Sequence, residues 1–231
     1  MSILRKDYRH SASRGNAFID SPAHWIITEL YGYRELPNPR MLMGLAAESA
    51  AMEGLKLDLS EDKVREQAAK DFDTLYSFGK VVSYQNEKIV NEKGLNYPIK
   101  CITDFEFDNV IIDTKATAYL KRLKSGKLDA NWYPKDSDVR QQLLYKRVFN
   151  KPTGLLYSSA KDQEGIDMLD RVASIDIIQV FHTMEYVCSI AKSKEDVVKM
   201  FPLTMDNFRW GKGMTDIKEF ATDVWNKVWK I

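Results

Sequence analysis

The stretch from Tyr97 to Ala116 constrains this chain more than any other. YPIKCITDFEF and VIIDTKA are rich in β-branched and aromatic residues and flank Asp108-Asn109, a dipeptide suited to a two-residue hairpin turn. With that turn in place, Phe107 faces Val110, Phe105 faces Ile112, and Asp104 lies opposite Asp113. Side chains alternate across a strand, so Phe105, Phe107, Val110 and Ile112 share one face, while Asp104, Asp113 and Lys115 share the other. One face is expected to pack against a core and the other to carry chemistry.

Two carboxylates opposed on neighbouring strands repel each other unless a cation or a shared proton compensates. Hard oxygen ligands favour Mg²⁺ or Mn²⁺. Lys115, two residues beyond Asp113, points into the same site, where its ammonium offsets negative charge or helps position and deprotonate a water. D-x-K alone is a weak signal that a surface Asp/Lys ladder also satisfies. Further support comes from Glu48, the only charge in the otherwise apolar or small-residue segment 41–52. Burying an ionised carboxylate costs several kcal/mol unless it is paired or bound to metal, so a third metal-facing carboxylate explains the placement. Pairing with an arginine, or reaching solvent, is the simpler alternative. Gly44 lies one turn earlier on the same face, where a missing side chain lets the helix backbone approach closely.

The rest of the chain supplies context. Ser21-Pro22 marks a helix start, with Trp25, Ile26 and Leu30 on the helix that follows. Two more helices are expected, one after Pro39 and one capped by Ser60. Strands are expected at 81–90, 97–107, 110–116 and 153–160, and a helix from Ser137 to Phe149. Further on, the pattern predicts a strand near 175–180, then helices through MEYVCSIA, SKEDVVKMF and the C-terminal VWNKVWKI. No repeat, low-complexity tract or linker interrupts the chain, so a single domain spanning 1–231 is expected. Its motif-bearing core covers about 11–160, and a helical extension covers about 161–231.

The balance of 34 basic and 33 acidic residues gives a net charge of +1, so any basic surface must be local. Between Ala118 and Lys135, Lys121, Arg122, Lys124, Lys127 and Lys135 are interleaved with Tyr119, Trp132 and Tyr133. That pattern suits phosphate contact and base stacking, or a solvated loop. The two cysteines, Cys101 and Cys188, have no CxxC spacing, which argues against a disulfide framework or a cysteine-rich zinc site. His10, His24 and His182 lack ligand spacing. Of the C-terminal aromatics, Phe208, Trp210, Trp225 and Trp229 suit a core or oligomer contact better than base binding. MSILRKDYRH lacks an apolar signal core and no run approaches the roughly 20 apolar residues of a membrane span, so a soluble cytoplasmic protein without a membrane partner is expected.

Gly44-x-x-x-Glu48, Asp104, Asp113-Thr114-Lys115 and Gln141-x-x-x-Tyr145, taken in order, resemble the RecB-like and phage-exonuclease branch of the PD-(D/E)xK nucleases. The resemblance covers roughly residues 11–160, its opening echoed by Ser11-Ala-Ser13-Arg14 and Ser21-Pro22. It implies an α/β (α+β) fold, with a restriction-endonuclease-like core of a central mixed β-sheet flanked by helices and with helical additions at both ends. It also implies metal ligation by Glu48, Asp104, Asp113 and the Thr114 carbonyl, with one or two Mg²⁺ or Mn²⁺ ions, and a catalytic role for Lys115. Gln141 and Tyr145 map onto a helix that braces the site and contacts DNA. The adjacent Arg140 is a candidate phosphate contact, or else forms a surface ion pair. Relatives with an iron-sulfur cluster carry a cysteine where Ser21 stands and three more near the C-terminus, so no cluster is expected. Where many RecB-like members have histidine, Glu48 makes the expected ligand set all oxygen.

The activity implied is metal-dependent exonucleolytic hydrolysis of linear DNA, single-stranded or duplex, in phage-type recombination, repair or degradation. A recombination or replication protein and a second copy of the chain are possible partners. A structure-specific endonuclease of the same fold and a non-catalytic DNA-binding protein on a nuclease scaffold are the alternatives.

Overall fold

A computed structural model describes residues 2–34, 42, 45–48, 70–71, 73–75, 77–117, 120–159, 161–168, 170–202 and 215–230. Gly44, Tyr119, Phe208, Trp210 and most of the helices expected after Pro39 and Ser60 lie outside the described residues, although 45–48, 70–71 and 73–75 are helical. The chain forms two compact units. The first comprises 1–36, 89–100 and 175–231, and the second comprises 37–88 and 101–174.

In the second unit, the alternating segments form the greater part of a five-stranded sheet in the order β1-β2-β3-β4-β5. The strands are β1 (Ser83–Val90), β2 (Ile99–Glu106), β3 (Ile111–Ala116), β4 (Thr153–Ser158) and β5 (Gln163–Asp167). The hairpin register is the expected one. Phe105 pairs with Ile112 and Glu106 with Ile111, and the Phe107 amide donates to the Val110 carbonyl at 2.9 Å; beyond these pairs the Thr114 amide donates to the Asp104 carboxylate. β3 and β4 run parallel, which requires a crossover, and the helix Asp136–Phe149 supplies it. Acidic Asp136 and Asp138 open that helix, basic Lys146 and Arg147 close it, and Asn150 ends it in a left-handed conformation at φ 54°.

Both faces of the sheet are packed. Phe105, Phe107, Ile112 and Leu156 join Leu75 on one side, as the alternation requires. Leu120, Val139, Leu155, Tyr157 and Met168 form a second cluster. Leu155 and Tyr157 stand beside Asp113 and Lys115 in the parallel register, so this second cluster lies on the carboxylate face. The expectation that only one hairpin face packs is therefore corrected: the crossover helix contributes Val139 to a second core there, and Asp113 is left only 1 % exposed.

The first unit is helical. Labelled in chain order with the crossover helix as α3, its helices are α1 (Ala12–Asp20), α2 (Pro22–Trp25, continuing as a π turn over Ile26–Leu30), α4 (Ile177–Ile190), α5 (Lys194–Met200) and α6 (Thr215–Trp229). Ser11, noted in sequence, is the N-cap of α1 and accepts from the Arg14 amide at 3.3 Å, while the Arg14 guanidinium pairs with Glu29 at 2.9 Å. The strand expected near 175–180 is instead the start of α4. Asp176 caps that helix by accepting from the Ile178 amide, and a short apolar run such as IDIIQV suits a buried helix as well as a strand. Trp225 is buried, its indole N–H donating to the Phe201 carbonyl at 2.8 Å, whereas Trp229 is exposed.

His10 is fully buried, stacked on Phe181, and hydrogen-bonded through Nε2 to Glu185 at 2.8 Å. Glu185 also accepts from the amides of Asn96 and Tyr97, a structural clamp that accounts for this histidine. Gly15 lets α1 approach α4 closely: a Cβ there would lie 2.8 Å from Phe181 Cε1 and 2.9 Å from Ile177 Cγ1. Gly15→Val is accordingly expected to lower the thermal midpoint by about 5 °C, read from a circular-dichroism melt, because overpacking costs about 1–3 kcal/mol. An unchanged midpoint would show that the two helices part freely. No helix among the described residues is long and apolar enough to cross a membrane.

Candidate active site

The second unit brings Asp104, Asp113, Lys115, Gln141 and Tyr145 into one polar network. Asp104 on β2 and Asp113 on β3 each lie one position beyond the Phe105–Ile112 pair, near enough for the Asp104 charge to act on Asp113. The Asp104 Oδ2 accepts from the Thr114 amide at 2.9 Å and lies 3.4 Å from the Thr114 hydroxyl. On the same strand Lys115 Nζ forms an ion pair with Asp113 and donates to Gln141 Oε1 at 3.0 Å. Gln141 Nε2 in turn donates to Asp113 Oδ1 at 3.3 Å and to the Tyr145 hydroxyl at 2.8 Å. The chain of bonds ends where that hydroxyl donates to the Ile102 carbonyl at 2.6 Å, back on β2. Gln141 and Tyr145 are one turn apart on α3, so the crossover helix is tied to both strands that carry the aspartates.

The electrostatics follow from burial and like charge. Burial pushes Asp113 up to about 7, and the Asp104 charge adds to the effect. Asp104 is raised to about 6, first by burial and then by the charge on Glu48. Glu48 is raised as well: burial outweighs hydrogen bonds from Tyr84 and Gln85, and the Asp113 charge adds to it. For Lys115, burial works to lower the pKa, but the charge and hydrogen bond of Asp113 prevail and raise it. The lysine is thus an ammonium at neutral pH, placed among carboxylates that perturb one another.

Chemically this donor set suits a hard divalent cation: every candidate ligand is an oxygen, and burial together with like charge raises all three carboxylates, which a cation would offset. As they stand, the described residues include no group of three or more His, Cys, Asp or Glu side chains close enough to hold an ion. Lys115 rests on Asp113 and Gln85 on Glu48 instead. The residues suited to a cation by chemistry are Glu48, Asp104 and Asp113, together with the Thr114 carbonyl.

Two other sequence candidates are engaged elsewhere. Arg140 is 3 % exposed and pairs with Asp136 at 3.1 Å, a place suited to holding the first turns of α3; contact with a phosphate would require that pair to open. The basic stretch after Ala118 is a built element. Arg122 bridges to Leu128 and binds Asp162 at 2.5 Å and Glu164 at 3.0 Å, while Lys121 lies over the Trp132 ring at 4.3 Å. Sequence reading missed Gln85, whose Nε2 donates to Glu48 Oε1 at 2.5 Å. It also missed Asp138, which accepts a hydrogen bond from the Tyr157 hydroxyl at 2.5 Å and whose charge is felt at both Asp113 and Lys115. A first-turn acid three residues before Gln141 was the available signal for Asp138.

No family model matches the sequence, and no curated protein does. A solved structure described as a "Putative exonuclease" from Eubacterium rectale matches with a TM-score of 0.52 and 18% identity, covering 77% of this chain and 77% of that one. A likeness at that identity is one of fold, and the fold is α+β: a mixed five-stranded sheet flanked by helices. A second structure, described as SSO0001, matches with a TM-score of 0.33 and 14% identity over 71% of this chain and 98% of that one, too loose to carry an argument.

Proposed function

We propose that this chain is a divalent-cation-dependent deoxyribonuclease of the PD-(D/E)xK kind, acting as an exonuclease on linear DNA. One observation carries the reading: Lys115 is held between Asp113 and Gln141 near Asp104, in a cluster whose carboxylates are all pushed upward. The description of the Eubacterium rectale structure as a "Putative exonuclease" supports the same reading. A role in phage-type recombination, repair or DNA degradation fits such an activity.

In the mechanism, Glu48, Asp104, Asp113 and the Thr114 carbonyl would hold Mg²⁺ or Mn²⁺, which when bound lowers the pKa of a water and neutralises charge on the scissile phosphate. This chain's own residues supply the rest. Lys115, an ammonium by virtue of Asp113, has one N–H beyond those directed at Asp113 and Gln141, which it would present to the attacking water or to a non-bridging phosphate oxygen, stabilising the charge that accumulates there. Gln141 fixes where that ammonium points, because its amide oxygen accepts from Nζ while its amide nitrogen is anchored on Asp113 and Tyr145. Tyr145 locks the amide orientation through the Ile102 carbonyl.

Tyr145→Phe deletes the bridge between Gln141 and Ile102 and is expected to lower kcat about 10-fold, with a loss of about 1 kcal/mol in stability. Rates and melts on the same preparation check it, and a variant with unaltered kcat would exclude Tyr145 from the positioning network. The function itself is tested with end-labelled linear duplex and covalently closed circular DNA, each incubated with Mg²⁺, Mn²⁺ or chelator. The expected result is cation-dependent loss of linear DNA with circles intact. Cutting of circles would replace exonuclease by endonuclease, and binding without cleavage under every cation would overturn the enzyme reading.

A further inference from the structure

β1 carries a backbone irregularity at Gln85, which lies within the strand at φ 53°, the left-handed region that non-glycine residues seldom occupy. Such a conformation persists only when its surroundings hold it. Here its side chain is held, since Nε2 donates to Glu48 Oε1 at 2.5 Å. The preceding residue reaches the same carboxylate: Tyr84 hydrogen-bonds Glu48 through its hydroxyl while its ring packs on Phe105. The following residue turns to a different acid, Asn86 Nδ2 donating to Glu106 Oε2 at 2.6 Å. Consecutive side chains of a regular strand point to opposite faces, so residues 84 and 85 would not meet at one carboxylate. A left-handed residue breaks that alternation, as it does in a β-bulge. Glycine would adopt this backbone at lower cost, so the turn alone does not account for a glutamine there.

We propose that the irregularity at Gln85 serves to set the Glu48 carboxylate, which makes Gln85 a positioning residue of the site; the inference rests on the nuclease reading given above. Gln85→Gly keeps the backbone accessible and removes the amide. Relief of strain should offset the lost bond, leaving the thermal midpoint within about 2 °C of wild type. Meanwhile kcat should fall about 30-fold with the KM for DNA unchanged, because Glu48 is misplaced while the DNA contacts are not. Gln85→Asn, which tolerates the left-handed region and keeps a shorter amide, should recover part of that loss. A Gln85→Gly enzyme with wild-type kcat would overturn the proposal, as would a midpoint loss accompanied by unaltered kcat.

A second measurement does not depend on cleavage. If the two side chains act on each other, Gln85→Gly should raise the midpoint by about 3 °C in a Glu48→Ala background, where only strain relief is left, yet barely move it in wild type. Equal shifts in both backgrounds would sink the proposal. Should the wild-type protein fail to cut DNA, the nuclease reading fails and this comparison still judges the contact.

Discussion

Lys115→Ala is expected to lower DNA cleavage by at least about 10³-fold while leaving a folded protein. The loss follows from the site's charge count. Among the described residues, Lys115 is the cation that its ion pair, amide contact and raised pKa all place among Asp113, Asp104 and Gln141. A donor aimed at charge that develops in the transition state is worth about 10²–10³ in kcat, and assistance in placing the attacking water adds to it. The fold should survive because the side chain is one-quarter exposed and Asp113, already raised to about 7, can take a proton and retain its bond from Gln141. Circular dichroism and a melt establish folding, and single-turnover cleavage measures the loss. A variant within 10-fold of wild type would remove Lys115 from the chemistry.

Asp104→Asn is expected to abolish cleavage and, in chelator, to make the protein more stable. Asp104 is raised to about 6 by burial and by Glu48, from an ordinary value of 3.8. The sign follows from linkage. A carboxyl whose folded pKa lies above its unfolded one binds its proton more tightly when folded, so it favours the fold fully below about pH 4, and that contribution is lost as pH rises through 6. Above that window the ionised Asp104 opposes folding, with an upper bound of about 3 kcal/mol. Asparagine removes this cost, retains an acceptor for the Thr114 amide, and leaves Lys115 and Asp113 as a matched pair. The midpoint should therefore rise by about 4 °C at pH 8. The gain over wild type should shrink towards zero between pH 6 and 4. A variant less stable than wild type at pH 8 would show that Asp104 is a net structural asset and not a strained functional group.

The hairpin was legible because three independent signals coincide at one place: a turn dipeptide, period-2 alternation and two acids at equal distance from the turn. Nothing comparable announces Gln85. A left-handed backbone at a glutamine within SYQNEKIV is set by what its side chain reaches, and Glu48 is 37 residues away. The second core beneath α3 was hidden for a related reason. Strand alternation says which residues share a face but not what covers it, and only the parallel β3–β4 pairing shows that a crossover helix must lie there. β5 escaped notice because QEGID is polar and short, an edge strand recruited by its ladder to β4 and not by its own propensity. The partners of Arg122 in the basic stretch after Ala118 were hidden in the same way, since Asp162 and Glu164 are acids some forty residues away.

The most direct test of the central claim is a side-by-side, single-turnover digestion of one end-labelled linear duplex by wild-type protein and by Lys115→Ala, in Mg²⁺ and in chelator. The expected result is progressive loss of label by the wild type in Mg²⁺ alone, and none above background by a folded Lys115→Ala. Equal digestion by the two proteins, or digestion by the wild type that chelator does not stop, would contradict it.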